Sequence, residues 1–282
     1  MKSLTCTAIA AALILTMPAC NRQPAAGGND AAAPEAAATD LSVLNGTWKV
    51  DLASLKFEQK PDEFLLKDGT YTCVSCIGSP ITVPADGKFH PVKDRTYFDS
   101  MAVKVVDDKT IEIRRRKGDK EVVVITSTVS ADGNSLTNKF HDATTPNAPA
   151  IDGTGTSKRV GPAPAGAHAI SGQWQPDQIG EYSEDALNIT YAINGDTVKQ
   201  SSQGQSYTAE IGGPAVAVQG DIAGTMVAVA REGSGLKETY TRDGKEVGIA
   251  TISPNADGKS FSYSNTDPRD GSKVSFTSNK TS

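Results

Sequence analysis

A short stretch that occurs twice constrains the fold of this chain more than any other feature. Residues 44–51 read LNGTWKVD and residues 170–177 read ISGQWQPD, and they contain the only two tryptophans, Trp48 and Trp174. The tryptophans lie 126 residues apart (174 − 48). Two further matches follow in the same order at an offset of 125 residues (245 − 120 and 256 − 131): KEV at 120–122 and 245–247, and ADG at 131–133 and 256–258. Three matches in one order predict two tandem copies of one domain.

The N-terminal 20 residues have the form of an export signal. A lysine at position 2 is followed by an apolar core at residues 7–17, which is too short to span a bilayer, and a small residue precedes Cys20. Bacterial lipoprotein signals have this form, and the resemblance implies that residues 1–19 are removed before a lipid-modified Cys20. The alternative is an ordinary secretory signal cleaved at a small residue. Residues 20–40 are rich in Ala, Pro and Gly without hydrophobic periodicity, which predicts a flexible tether.

The same resemblance gives an expected location. Asn21 after the cysteine permits sorting to the outer membrane, so we expect an envelope protein that faces the periplasm or the cell surface. Acyl chains on Cys20 would be the membrane anchor, because no later apolar run reaches transmembrane length. The formal net charge of −5 at pH 7 does not favour nucleic acid or an anionic membrane surface as a partner.

Short runs of alternating apolar and polar residues dominate both copies, for example at residues 111–114 and 187–193. Period-two alternation is typical of strands that bury one face. Pairs such as Asp68-Gly69, Asn194-Gly195 and Asp243-Gly244 supply the positive-φ positions that tight hairpins need. Many short strands separated by such turns predict an all-β chain built as sandwiches or closed barrels.

A Gly-x-Trp on the first strand of an antiparallel series resembles the lipocalin-like (calycin-type) barrels. The wider pattern, GTWKVD followed by a Cys-x-x-Cys and ADGK, resembles uncharacterised bacterial envelope lipoproteins with tandem lipocalin-like domains. The resemblance implies two antiparallel barrels of about eight strands each, at residues 41–160 and 168–282, joined by a linker at 161–167. It also implies that Trp48 and Trp174 are aromatic plugs that close one end of each barrel.

Cys73 and Cys76 are the cysteines left after the signal and the lipidation site are set aside. In an exported protein this spacing favours a small structural disulfide. A zinc site is a less favoured alternative, for which His90 and His141 could be further ligands. A thioredoxin-like redox pair is another, but the cysteines follow a strand-like run and no helix start follows them.

The densest basic run is residues 114–117, RRRK, at a predicted strand end. Cross-strand ion pairs on a solvated face are the favoured interpretation. A binding site for an anionic ligand at a barrel mouth is the more specific but less favoured alternative. The sequence contains no Gly-x-Ser-x-Gly, His-Glu-x-x-His or phosphate loop, and its three histidines are scattered. We therefore expect no enzymatic activity, no metal and no cofactor.

Two functions stay open on the sequence alone. One is an envelope lipoprotein that binds a small apolar ligand inside a barrel. The other is a structural or interaction module with filled barrels and no small ligand. The interior of each barrel separates them, because an open apolar cavity favours the first and a core filled by side chains favours the second.

Overall fold

A computed structural model of the protein describes residues 40–281. Within that range the chain is all-β apart from short 3₁₀ helices at Leu41–Leu44, Leu52–Ser54 and Glu184–Leu187. The strands in chain order are β1 (Gly46–Val50), β2 (Lys56–Glu58), β3 (Asp62–Lys67), β4 (Thr70–Cys73), β5 (Ile81–Pro84), β6 (His90–Pro91), β7 (Ser100–Val105), β8 (Thr110–Lys117), β9 (Lys120–Val129), β10 (Ser135–Asp142), β11 (Ile151–Val160), β12 (Gly172–Tyr182), β13 (Asn188–Asn194), β14 (Thr197–Ser202), β15 (Gln205–Glu210), β16 (Val216–Ala217), β17 (Met226–Glu232), β18 (Gly235–Arg242), β19 (Lys245–Pro254), β20 (Ser260–Thr266) and β21 (Lys273–Lys280).

The predicted signal peptide (1–19), the lipidation site Cys20 and almost all of the predicted tether (20–40) lie outside the described residues. Among the helices of the described range, none is both long enough and apolar enough to cross a membrane.

The strands form two antiparallel sheets, each rolled into a nearly closed barrel. The first barrel has ten strands in the order β5-β4-β3-β12-β11-β10-β9-β8-β7-β6. The second has the order β15-β14-β13-β1-β21-β20-β19-β18-β17-β16, with β2 paired to β21. The ends of each sheet approach one another: the Gly87 amide donates to the Val103 carbonyl at 2.8 Å, and the Gly212 amide donates to the Val229 carbonyl at 2.7 Å. The predicted all-β fold with two antiparallel barrels is confirmed.

The predicted count of about eight strands per barrel is too low. Both sheets contain strands of only two residues, β6 and β16, next to their closing contacts. Two residues are too few for an alternating pattern, and periodicity therefore cannot detect such strands.

The two strands that carry the tryptophans do not lie where tandem copies would put them. Strand β1 lies between β13 and β21 of the second barrel, with Trp48 opposite Ile189 and Lys280. Strand β12 lies between β3 and β11 of the first barrel, with Trp174 opposite Asp62. Each barrel thus contains the first strand of the other copy.

This arrangement corrects the predicted boundaries, 41–160 and 168–282. The first barrel is continuous, because its ten strands run from Asp62 to Tyr182. The second barrel is discontinuous: its strands come from residues 46–58 and from 188–280. In the order of the chain, the first barrel is therefore an insertion between two segments of the second. The predicted linker 161–167 is a loop of the first barrel that connects β11 to β12.

The pairing of β12 with β11 gives a physical reason for the correction. Strands that follow one another along the chain are usually neighbours in space. The loop between Val160 and Gly172 lets β12 fold back on β11, and the two strands pair over most of their length. Since β12 is then used by the first barrel, the place between β13 and β21 is filled by β1.

The predicted tight turns are present. Lys67 pairs with Thr70 across Asp68-Gly69, and Arg242 pairs with Lys245 across Asp243-Gly244. Both central residues of each turn have positive φ, at 50° and 71° in the first and 50° and 72° in the second. These values match the type I′ turns that suit the right-handed twist of paired strands.

Both tryptophans are fully buried, one in the core of each barrel. The Trp48 indole N–H donates to the Leu44 carbonyl at 2.8 Å, and the Trp174 indole N–H donates to the Ile170 carbonyl at 2.9 Å. Because the indole nitrogen is satisfied by a residue four positions earlier, the large ring can be buried without an unpaired donor.

A cation covers the ring of each tryptophan. The Arg159 guanidinium lies 4.0 Å from the Trp174 ring centre, and the Lys280 ammonium nitrogen lies 5.0 Å from the Trp48 ring centre. Gly172 has φ 119°, and a Cβ atom there would lie 2.7 Å from an Arg159 nitrogen. The glycine of the Gly-x-Trp motif is therefore required both by its backbone conformation and by the close approach of the arginine.

Candidate functional site

The interior of the first barrel contains a cavity of about 270 Å³. This is close to the lower end of the roughly 300–1,000 Å³ of small-molecule pockets. Its wall is largely apolar and comes from the strands around the barrel: Phe64, Ile81, Ile111, Ile113, Val123 and Ile125. A wider groove of about 720 Å³ shares part of this lining, including Asp62 and Arg269, and reaches the surface at Lys60 and Gln173.

The interior of the second barrel has much less space. A cavity of about 30 Å³ lies among its tyrosines. That volume holds about one or two water molecules. The two barrels share a fold, but the cavity among the tyrosines of the second has about one ninth of the volume of the cavity in the first.

The strand registers of the two barrels are equivalent, and they can be compared position by position. Arg115 pairs with Val123, and Tyr240 pairs with Gly248, in each case directly before a β-bulge. Extending this register around the barrels matches four inward-facing residues of the second barrel, Tyr191, Tyr207, Glu238 and Tyr240, with Phe64, Ile81, Ile113 and Arg115 of the first.

Glu238 occupies the centre of the second barrel and is 1% exposed. The Tyr207 and Tyr191 hydroxyls donate to Oε1 at 2.5 Å and 3.1 Å, and the Tyr240 hydroxyl donates to Oε2 at 2.5 Å. Burial raises the pKa of Glu238, and the three hydrogen bonds oppose that rise. The second barrel therefore contains its own fully hydrogen-bonded carboxyl group, which fills the space that stays open in the first.

The first barrel lacks this group of side chains. Isoleucines replace Glu238 and Tyr207, at Ile113 and Ile81, and Phe64 lacks the hydroxyl that Tyr191 provides. These replacements remove one carboxyl group, one ring and two hydroxyls from the barrel interior. The cavity in the first barrel follows from that loss of volume and of polar partners.

Arg115 is a charged side chain on an otherwise apolar face of β8. It lines the cavity, and its guanidinium carbon lies 4.7 Å from the Phe98 ring centre. Its Nε atom is buried and has no hydrogen-bond partner among the described residues. Burial lowers the pKa of Arg115, whereas nearby Tyr71 and Asp142 act to raise it. Arginine nevertheless keeps its charge in proteins, so the largely apolar cavity wall contains a cation.

The basic run that contains Arg115 divides between the two faces of β8. Arg114 forms an ion pair with Glu121 at 2.6 Å. Arg114 and Arg116 both lie over the Phe89 ring, at 5.4 Å and 3.7 Å, whereas Arg115 lines the cavity. The predicted cross-strand ion pair is therefore present, but it involves one arginine of the run, and the next arginine faces inward.

A buried polar pair lines the same cavity. The Ser127 hydroxyl donates to the Asn138 side-chain oxygen at 2.6 Å, and both residues are at most 5% exposed. The register matches them with Ile252 and Tyr263 of the second barrel. Polar groups thus stand in a largely apolar wall, which is the usual composition of a small-molecule pocket.

Cys73 and Cys76 form the predicted disulfide. It joins the end of β4 to the loop that follows, and both cysteines line the cavity. Next to them, Arg95 donates to the backbone carbonyls of Ser79 and Asp94. The disulfide therefore holds the loop that forms one side of the cavity entrance.

The second barrel also contributes to this entrance. Arg242 and Arg269 both line the cavity of the first barrel. The Arg242 guanidinium donates to the Tyr97 hydroxyl at 3.1 Å, and that hydroxyl donates to Asp221 at 2.8 Å. Arg269 is paired with Asp267 at 2.9 Å. A site inside one barrel is thus completed by side chains of the other.

The three histidines contact different partners. His90 contacts Asp86 at 2.9 Å, His141 contacts Asp152 at 2.8 Å, and His168 contacts the carbonyl of residue 107 at 2.7 Å. Among the residues from 40 to 281, no group of three potential metal ligands occurs. The two histidines considered as partners for a cysteine-zinc site therefore do not join Cys73 and Cys76, which are bonded to each other.

Sequence reasoning missed the carboxyl cluster of the second barrel and the inward arginine of the first. A signal existed for both. Alternation along residues 236–241 places Glu238 on the same face as Leu236 and Tyr240, and alternation along 111–115 places Arg115 on the face of Ile111 and Ile113. A charged residue on an apolar face indicates either a buried polar network or a ligand site.

Comparison of the chain with models of known protein families, with curated proteins and with solved structures finds no match in any of the three.

Proposed function

We propose that this protein binds a small, largely apolar molecule in the cavity of the first barrel. The observation that carries the proposal is the difference between the two interiors, about 270 Å³ in one and about 30 Å³ in the other, on one fold. A core that only had to be stable would be filled, since interiors pack closely and cavities cost stability. The chain fills the second barrel with Glu238 and three tyrosines, and leaves the first open.

We propose binding and no catalysis for this site. The buried Ser127 hydroxyl of the cavity wall donates to the Asn138 amide oxygen, which is not a general base. No histidine lies among the described residues of the cavity lining. The second barrel serves as the structural partner that holds the entrance, through Arg242 and Arg269. A purely structural role for both barrels is the second candidate, and the filled second barrel favours it for that half.

The same substitution in both barrels tests the proposal. Ile125 lines the open cavity, whereas Ile252 is fully buried in the filled barrel. Ile125→Trp should fill the cavity and abolish binding of the neutral fluorescent probe N-phenyl-1-naphthylamine, with little loss of stability. Ile252→Trp should leave binding intact but should destabilise the protein by about 1–3 kcal/mol, because overpacking forces neighbouring side chains to move.

Probe fluorescence titration and urea unfolding measure the two effects. Wild-type protein that does not bind the probe or any other small apolar molecule would contradict the proposal. So would an Ile125→Trp protein that binds the probe as tightly as the wild type.

We further propose that the protein is an outer-membrane lipoprotein anchored at Cys20. The signal-like residues 1–20 and the following Ala/Pro/Gly-rich stretch support the proposal, and the Cys73–Cys76 disulfide suits an oxidising compartment. Cys20→Ser should move the protein from the membrane fraction to the soluble fraction and remove the mass of the acyl chains. Fractionation with intact-mass measurement checks this. A Cys20→Ser protein that still sediments with membranes at an unchanged mass shift would rule out lipidation there.

A further inference from the structure

The interior of the second barrel holds a buried carboxyl group by hydrogen bonds from hydroxyl groups. Glu238 receives three hydroxyl donors, one of them from Tyr240 two residues along the same strand. In the first barrel the position of Tyr240 is taken by Arg115, a stronger donor, while the position of Glu238 is taken by Ile113. The first barrel therefore has a hydrogen-bond donor, Arg115, where the second has Tyr240. It has no carboxyl group where the second has Glu238.

The donor is not fully used. The Nε atom of Arg115 is buried without a hydrogen-bond partner among the described residues, and an unmade hydrogen bond to a buried charged group is costly. Ion pairs of the described residues include Arg114, Arg242 and Arg269 but not Arg115. Arg95 adds a second positive charge near Arg115.

Acidic residues also face this space, so charge alone does not decide the ligand. Asp62, Asp94 and Asp142 line the cavity. The Asp142 carboxylate already accepts from the Thr144 amide and hydroxyl, at 2.9 Å and 2.6 Å. Its field favours the charged form of Arg115, but it leaves the Nε–H without an acceptor. The Arg115 side chain also lines the cavity, so a molecule bound there can supply an acceptor to its guanidinium.

We propose that the ligand of the first barrel carries a carboxylate that binds Arg115 and stands where Glu238 places its own carboxylate in the second barrel. The inference rests on the proposed function, because it names the chemical class of the molecule in the same cavity. An apolar chain of moderate length would lie against Phe64, Ile111 and Ile125, and a planar guanidinium suits a carboxylate because both oxygens can accept from it.

Three probes of equal chain length separate the contributions: octanoate, 1-octanol and octylamine, titrated by calorimetry into the purified full-length protein at pH 7. Octanoate should bind at least tenfold more tightly than 1-octanol, and octylamine should bind more weakly than either. Arg115→Met should weaken octanoate binding by roughly tenfold to a hundredfold, as expected for loss of hydrogen bonds to a charged group, and should leave 1-octanol binding unchanged. Unchanged 1-octanol binding also shows that the variant is folded.

Two matched variants sharpen the test. Arg114→Met removes the neighbouring charge on the outer face and should not change octanoate affinity. Ile113→Glu supplies an internal carboxylate, as in the second barrel, and should abolish octanoate binding.

Equal binding of octanoate and 1-octanol, insensitive to Arg115→Met, would overturn this inference while leaving the proposed function intact. Preference for octylamine would also overturn it, and would point to the aspartates. Failure of all three probes to bind would count against both the inference and the proposed function.

Discussion

Residues 59–182, expressed alone, are expected to fold as a stable barrel, whereas residues 41–160 are not. The first fragment contains all ten strands of the first barrel, with Trp174 in its core. The second fragment lacks β12, which pairs with β3 on one side and with β11 on the other. Loss of a central strand leaves two unpaired edges and an opened core, and such edges promote aggregation.

Circular dichroism, tryptophan emission and urea unfolding distinguish the two fragments, since each contains one tryptophan. Fragment 59–182 should show a single cooperative transition and blue-shifted emission from Trp174. Fragment 41–160 should aggregate, dimerise or emit as a solvated indole from Trp48. A monomeric, cooperatively folded 41–160 with buried Trp48 would mean that β1 can take the place of β12 within its own copy, and that the insertion is not required for folding.

The sequence alone is enough to predict the strand class, the turns and the burial of the tryptophans, because these properties are local. Alternation over 187–193 reports which face is buried, and Asp68-Gly69 reports a turn that few other residue pairs can make. The choice of partner for β1 and β12 is not local. Both strands carry the same Gly-x-Trp pattern, and each could pair at the equivalent position of either barrel. Their patterns therefore do not determine which barrel each strand joins.

The candidate site was less predictable for a related reason. The disulfide follows from spacing and compartment, and it is present at Cys73 and Cys76. The cavity exists because the side chains at the barrel centre are smaller in the first barrel than in the second. This difference is seen only when Ile113 is matched with Glu238 between the two copies. The offset between the repeats is not constant, since the tryptophans lie 126 residues apart and the KEV segments 125. That match therefore needs the pairing register.

Trp174 is expected to stabilise the first barrel, and Trp48 is expected to stabilise the second. Trp174→Ala should destabilise the first barrel, residues 62–182, by roughly 3–5 kcal/mol, the usual range for removal of a large buried aromatic side chain. It also removes the surface on which the Arg159 guanidinium stacks at 4.0 Å. Probe binding in the cavity should be lost with the fold of that barrel.

Trp48→Ala should act on the second barrel by a similar amount, because Trp48 packs against Phe261 at 5.1 Å and lies in the core built from β13–β21. Probe binding in the first barrel should survive, and the two losses should be nearly additive because the side chains lie in separate cores. Hydrogen exchange followed by mass spectrometry assigns each loss to a segment. In Trp48→Ala, protection should fall in 188–280 and persist in 62–160. The opposite pattern would show that Trp48 belongs to its own copy and that the strand assignment is wrong.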